Sequence, residues 1–371
     1  MDSEDSRTDA QDGLSPEERE ELVLDRRHLL RRAGLGAAAL SVPSAVLASN
    51  AFGGVAQALA AESFIQPHPN WRFVFVNHVT TNPFFVPTQY GAADACGLLG
   101  CRYQWTGSQT AAVGEMVNAF NSAISANAAG IAVCLTDRRA FNAPTARALG
   151  RGIPVVSYNA DTANRRLAYI GQDLYLSGYR MGERIVNDVK DGEVALFIAT
   201  PGQLNIQPRI DGAQQAIKDK GGGKIKATAI ATGSQLNEEL AKIDAYYLGH
   251  RSIKGMYAVD AGSTQGVAQV MQKYGLRRRG VRAGGYDLLP TILRLIAAGH
   301  MDFTIDQQPY LQGWLPVLQL WWYRYSSGLV APSDTNTGIL FVTRGNVRPY
   351  LTTKTRYEGS SSKQKYPITK P

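Results

Sequence analysis

Polar side chains suited to binding hydroxyl groups recur in this sequence at one kind of position, directly after short apolar runs. Behind the run ending at Asn77 come His78 and then Asn82-Pro83-Phe84-Phe85. Thr136 and Asp137 follow the run around Ile131, and Asn159 and Asp161 follow the run around Val156. In the second half, a loop leads to Gln207-Pro208-Arg209-Ile210-Asp211-Gly212; Asp260 and Asp287 each end a run, and Asp306-Gln307-Gln308 follows the last. Carboxylates, amides and a guanidinium fork are the planar acceptors and donors that sugar hydroxyls need. Phe84 and Phe85 offer flat apolar surfaces for the C–H faces of a sugar ring. A buried polar group left without its hydroxyl partner costs about 1–3 kcal/mol, so a cleft built this way rejects near-isosteres. Each residue also has a plainer reading. Asn159 and Asp137 are the types that cap a following helix, Phe84 and Phe85 fit a core, and Asp287 with Asp306 could form an acid/base pair of the glycosidase kind. Polar residues at nearly every run end, in both halves, favour a shared ligand site.

Such residues must be held by a regular frame. From Trp71 onward, strand-like runs alternate with stretches of helical spacing. The strands are expected at 73–77, 102–106, 130–135, 154–158, 167–170, 194–199, 225–231, 255–259, 283–286 and 303–305. Helical spacing covers 114–126, 177–189, 208–220, 237–248, 264–274 and 290–298. Most of the strands are continuously apolar, as in parallel sheets covered on both faces, and the repeated alternation implies right-handed crossovers. The chain has 371 residues, beyond the size at which a single core stops growing, and the pattern restarts at Val194. Two Rossmann-like α/β lobes are therefore expected. In such sheets a ligand sits beyond the carboxyl ends of the strands, so two facing lobes enclose a cleft that hinge closure can seal.

The remaining features narrow the class. Residues 1–60 read as a twin-arginine export signal: a polar acidic stretch, Arg26-Arg27, then a weakly apolar Ala/Gly-rich run of about 16 residues, shorter than a membrane span. Within it, Gly34-Leu35-Gly36 and Ala39 match a dinucleotide fingerprint, but arginines precede it and no strand–helix–strand unit surrounds it. The formal charge of +8 comes from dispersed basic residues and not from a nucleic-acid motif. Cys96 and Cys101 are compatible with one disulfide in an oxidising compartment or with two buried thiols, and no histidine stands at metal-ligand spacing from either or from Cys134. The Trp314, Trp321 and Trp322 group has helical core spacing. Residues 351–371 form a polar tail. No G-x-S-x-G or H-E-x-x-H motif is present and no Cys/His pairing.

With these residues in place, the chain over about 70–350 resembles the type I periplasmic sugar-binding proteins, the ribose/galactose-binding family. The resemblance rests on "NPFF" after the first strand, "RIDGAQQAI" opening a helix, "GGYD" at Asp287 and "FTIDQQPYLQG" near Gln307. It implies a three-crossing hinge, with crossings near 171–173, 286–289 and 306–309. It implies an N-terminal lobe of 70–172 plus 308–337 and a C-terminal lobe of 173–307 plus 338–350, with a last strand near 339–342. It makes Asn82 a polar contact, Phe84 and Phe85 aromatic walls, Arg209 the guanidinium fork, and Asp260, Asp287 and Gln307 hydroxyl partners; Asp137 and Asn159 complete the expected ligand set. Ribose binders carry an Asp-Arg pair where this chain has Asn159-Ala160, and an amide where Cys134 stands, so ribose itself is not implied.

The function expected is a non-enzymatic, exported receptor, acting as a monomer in the periplasm or its equivalent, that passes a monosaccharide or polyol to an ABC permease. No cofactor, metal, catalytic residue or nucleic-acid partner is expected. Two rivals stand beside it: a sensory protein presenting its ligand to a chemoreceptor or kinase, and a secreted glycoside hydrolase using Asp260, Asp287 or Asp306. A repressor is excluded by the lack of a helix-turn-helix ahead of the fold and by the export signal.

Overall fold

The computed structural model describes residues 65–352, so the expected export signal and nearly all of the polar tail lie outside the described residues. Two six-stranded sheets organise the described residues. The first contains β1 (Arg72–Asn77), β2 (Arg102–Gly107), β3 (Gly130–Val133), β4 (Val155–Tyr158), β5 (Ala168–Gly171) and β11 (Asp334–Asn336), in the order β11-β5-β4-β3-β1-β2. The second contains β6 (Gly192–Ile198), β7 (Ile225–Ala231), β8 (Gly255–Ala258), β9 (Arg282–Tyr286), β10 (Phe303–Asp306) and β12 (Leu340–Thr343), in the order β12-β10-β9-β8-β6-β7. Apart from the last strand of each, the two orders are the same, so the chain builds one winding pattern twice. All pairings are parallel except β10 with β12.

The central strands are buried end to end, as their unbroken apolar runs require: Phe73, Val74, Phe75 and Val76 in β1, and Val194 through Ile198 in β6. Helices cover both faces. In the first lobe these are α1 (Val86–Leu99), α2 (Val113–Ser125), α3 (Asn142–Gly150) and α9 (Leu311–Tyr325); in the second, α4 (Leu174–Val189), α5 (Gln207–Lys220), α6 (Leu236–Gly249), α7 (Ala261–Lys273) and α8 (Pro290–Ala297), with a short α10 at Arg348–Thr352. Among the described residues no helix is long and apolar enough to cross a membrane.

The chain passes between sheets at 172–173, at 307–310 and at 337–339. The crossing expected near 286–289 is corrected by this path: β9 and β10 lie side by side in one sheet, so the chain stays in the second lobe there. The third crossing instead joins β11 to β12. β11 has no apolar pattern and is a strand because of where it docks: its backbone completes the β5 edge, with Tyr169 N donating to Ser333 O at 2.8 Å and Thr337 N to Gly171 O at 2.9 Å. Trp321 belongs to the first-lobe core, stacked on Tyr325 at 4.5 Å.

Candidate functional site

The strand order reverses between β1 and β3 and again between β6 and β8. Crevices open at the carboxyl ends of such switch points. There the two lobes border a small void, lined by His78, Asn82, Phe84, Phe85, Asn159, Asn205, Ile206, Arg209, Asp260, Ala261, Asp287 and Gln307. Eight of the nine residues expected from the sequence therefore converge on one space. Asp137 does not. Its Oδ1 accepts backbone N–H bonds from Arg139 at 2.8 Å and Ala140 at 2.7 Å, which hold its carboxyl below the usual range. Asp137 is a turn cap on the half-exposed side of the loop.

Local structure fixes each lining residue. Asn82 caps the 3-10 turn Pro83–Phe85, accepting the Phe84 N–H at 2.9 Å, and so sets Phe84 and Phe85 edge to face with ring centres 4.7 Å apart. Asn159 is buried with φ of +64°, and Asp287 with φ of +76°. Left-handed backbone is unfavourable for residues with a Cβ and concentrates at functional positions. The turns after β4 and β9 thus point these two side chains into the cleft. Asn159 Nδ2 donates to Gln312 Oε1 at 3.1 Å. Gln307 Nε2 donates to Asp287 Oδ1 at 2.6 Å, and burial pushes the Asp287 carboxyl up to about 7.

Arg209 is 2% exposed and lies in the first turn of α5. Close packing of α4 against α5 places it: a Cβ at Gly178 would lie 2.2 Å from the Arg209 carbonyl oxygen, so the helices can meet this closely only through glycine. The guanidinium donates through Nη1 to Val259 O at 2.8 Å and through Nη2 to Gln172 Oε1 at 3.2 Å, and it stands over the Tyr286 ring at 4.1 Å. Asp260 is the N-cap of α7. Its Oδ1 accepts Ser263 N at 2.8 Å and its Oδ2 accepts Ala199 N at 2.9 Å. Behind it lies Glu239, 3% exposed and close enough to Asp260 to feel its charge. Two adjacent buried carboxyls cannot both ionise, and burial with the Asp260 charge pushes Glu239 up to about 9.

Sequence reasoning missed His78 and Asn205 as site residues. His78 sits in the strand-end position that identified the others. Asn205, in the loop after β6, carried no signal. They meet across the cleft, with Asn205 Nδ2 3.1 Å from His78 Nε2. With the amide nitrogen donating, Nε2 accepts and the ring proton sits on Nδ1. Burial lowers the His78 pKa to about 4, so the ring is neutral.

Four buried polar atoms of the lining residues lack a hydrogen-bond partner: His78 Nδ1, Asn159 Oδ1, Asn205 Oδ1 and Arg209 Nε. Two are donors and two acceptors, and each lobe supplies both kinds. Hydroxyl groups donate and accept at once, so a polyhydroxylated molecule satisfies this set, whereas an anion or a cation satisfies half. A wider recess of about 760 Å³ lies beside the first crossing, lined by Asp161, Tyr169, Gln172, Asp173, Leu204 and Pro208 among others, and none of its lining residues has such an atom. Trp105 and Tyr158 stop short of the void: Trp105 Nε1 donates to Thr80 O at 3.1 Å, and Tyr158 OH accepts from Asn77 Nδ2 at 2.9 Å. Among the described residues no group of three or more His, Cys, Asp or Glu is arranged to hold a metal ion.

Comparison with known proteins agrees with this architecture. Residues 73–323 match the model of the periplasmic binding protein domain family. The chain is 50% identical over 317 residues to the xylose/arabinose-binding protein XylF of Sulfolobus acidocaldarius, covering 81% of this chain and 78% of that one. Two solved structures share the fold. One is an ABC transporter solute-binding protein of Burkholderia graminis in complex with D-arabinose (TM-score 0.71, 24% identity, 78% of this chain and 99% of that one). The other is the glucose-galactose binding protein GanP of Geobacillus stearothermophilus (TM-score 0.68, 23% identity, 75% and 99%). The chain belongs to the periplasmic binding protein family, among the type I sugar-binding receptors that serve ABC importers without catalysing a reaction.

Proposed function

We propose that the ligand is a pentose, in the manner of xylose or arabinose, held by Asn82, Asn159, Arg209, Asp260, Asp287 and Gln307 with His78 and Asn205, against the aromatic corner made by Phe84 and Phe85. The observation that carries this reading is the balanced set of unpaired donors and acceptors contributed by both lobes to one small void. The 50% identity to a xylose/arabinose-binding protein supports the choice of sugar.

Closure is the step that makes binding selective, because only a ligand touching both lobes favours the closed form. The bodies that move are 70–172 with 308–337 and 173–307 with 338–350. The loop after β6 latches them: Leu204 N donates to Thr136 O at 3.0 Å, Gln203 Nε2 to Ala111 O at 3.0 Å, and Asn205 meets His78. Residues 1–60 direct export by the twin-arginine route. The closed monomer delivers its sugar to the permease of an ABC importer on the outer side of the membrane. Calorimetric titration with D-xylose, L-arabinose, hexoses and polyols tests the reading. A pentose should bind one per chain and unchanged, and release of a chemically altered sugar would overturn it.

Asp260 and Asp287 are poorly placed for the hydrolase alternative. Backbone N–H groups occupy both oxygens of Asp260, and Gln307 holds Asp287.

A further inference from the structure

Cys96 and Cys101 occupy two positions that a helix end brings together. α1 stops at Gly100, which is left-handed with φ of 64° and ψ of 36°. The Cys101 N–H then donates back to the Cys96 carbonyl at 3.0 Å. This is the six-to-one bond of a Schellman closure, in which the side chain three residues inside the helix end packs on the one just past the glycine. Two apolar side chains usually make that contact, and here both are thiols. A direct backbone bond of this kind brings the two residues together so that their side chains meet, and a disulfide needs its two Cα atoms within about 4.4–6.8 Å. The neighbouring Cys101 thiol, together with burial, raises the Cys96 pKa. Cys96 is buried and Cys101 is half-buried, so one sulfur is shielded and the other can be reached from solvent.

We propose that Cys96 and Cys101 form a disulfide in the exported protein, tying the end of α1 to the start of β2. The oxidant is a disulfide carrier of the thiol-exchange class. The Cys101 thiolate attacks one sulfur of the carrier, breaking its S–S bond and forming a mixed disulfide. The Cys96 thiolate then displaces the carrier, which leaves as the dithiol with the two electrons and two protons given up by the pair. Cys134 stays a thiol: it is fully buried just past the end of β3, with Asn77 Nδ2 3.7 Å from its sulfur. The inference rests on an extracytoplasmic location and is independent of which sugar binds.

The test uses the exported full-length product purified without reductant, denatured in an alkylating reagent and weighed. One of the three cysteines, Cys134, should be modified, and all three after reduction. In Cys101→Ser, both remaining cysteines should be modified without reduction, and its Tm should fall by about 2–6 °C with sugar affinity unchanged. Alkylation of all three without reduction, after treatment with oxidised glutathione, would overturn the proposal. So would a bridge that persists in Cys101→Ser, since it would have to involve Cys134.

Discussion

Replacing Glu239 by Gln should flatten the pH dependence of stability in alkaline solution. Glu239 lies on α6 with its carboxyl against the first turn of α7, where a Cβ on Gly262 would come within 1.6 Å of its Oε2. Burial first, then the Asp260 charge, raises it from an ordinary 4.5 to about 9. A folded-state pKa above the unfolded value means that the stabilisation is complete below about pH 4.5 and is lost as pH rises towards 9, because the unfolded chain releases a proton that the folded one retains. Two other cleft groups titrate in separate windows. The Asp287 contribution is lost as pH rises to about 7. That of His78 has the opposite sign and is lost as pH falls from about 6.5 to about 4. Between pH 7 and 9 the Glu239–Asp260 pair dominates, titrating as a unit. One proton is worth about 1.4 kcal/mol per pH unit, or about 3 kcal/mol across the window, which lowers Tm by about 5 °C for a protein of this size. Thermal melts of wild type and Glu239→Gln at half-unit steps measure it. Gln retains a donor towards Asp260 but cannot ionise, so the mutant curve should stay level while the wild-type curve falls. Parallel curves for the two proteins would refute the shared-proton account.

Other outcomes follow from the same geometry. Arg209→Ala removes a charged donor from the void and should raise the sugar Kd at least 10-fold, from about 1.5–3 kcal/mol for a charge-assisted bond; Arg209→Lys should not restore affinity, since Lys lacks the planar fork. The double variant Gln203→Ala/Asn205→Ala loses two interlobe bonds worth about 0.5–1.5 kcal/mol each. Its Kd should rise about 5- to 160-fold, chiefly through faster release in stopped-flow fluorescence. Asp137→Ala, away from the void, should leave Kd within about twofold while removing a turn cap worth about 1 kcal/mol in a melt.

The sheet framework was legible because burial on both faces writes itself as continuous apolar runs: Phe73–Val76 and Val194–Ile198 could hardly be anything else. Ten strands fell within a residue or two of their observed bounds. β11 escaped because Asp334-Thr335-Asn336 is held by an existing edge and carries no pattern of its own. α1 was hard to delimit because its small residues, Gly91, Ala92, Ala93, Ala95 and Gly97, dilute any periodicity. At the site, polar residues at strand ends were informative where the chain turns into the cleft and misleading at Asp137, where the same chemistry caps a turn. Asn82 and Asp260 do both, capping a helix turn while lining the void. Asn205 was illegible because its place depends on the other lobe: a loop residue acquires a partner only when the lobes close on each other. Glu239 was missed because a buried acid on a helix looks the same in sequence as a solvated one.

Small-angle scattering during titration of the protein with D-xylose and L-arabinose tests the central claim most directly. If the unpaired groups of both lobes are completed by one sugar, the radius of gyration should contract in step with saturation at one sugar per chain, and Arg209→Ala should shift both together to at least 10-fold higher sugar concentration. Saturable binding with no contraction, or contraction caused equally by a charged ligand that lacks hydroxyls, would contradict it.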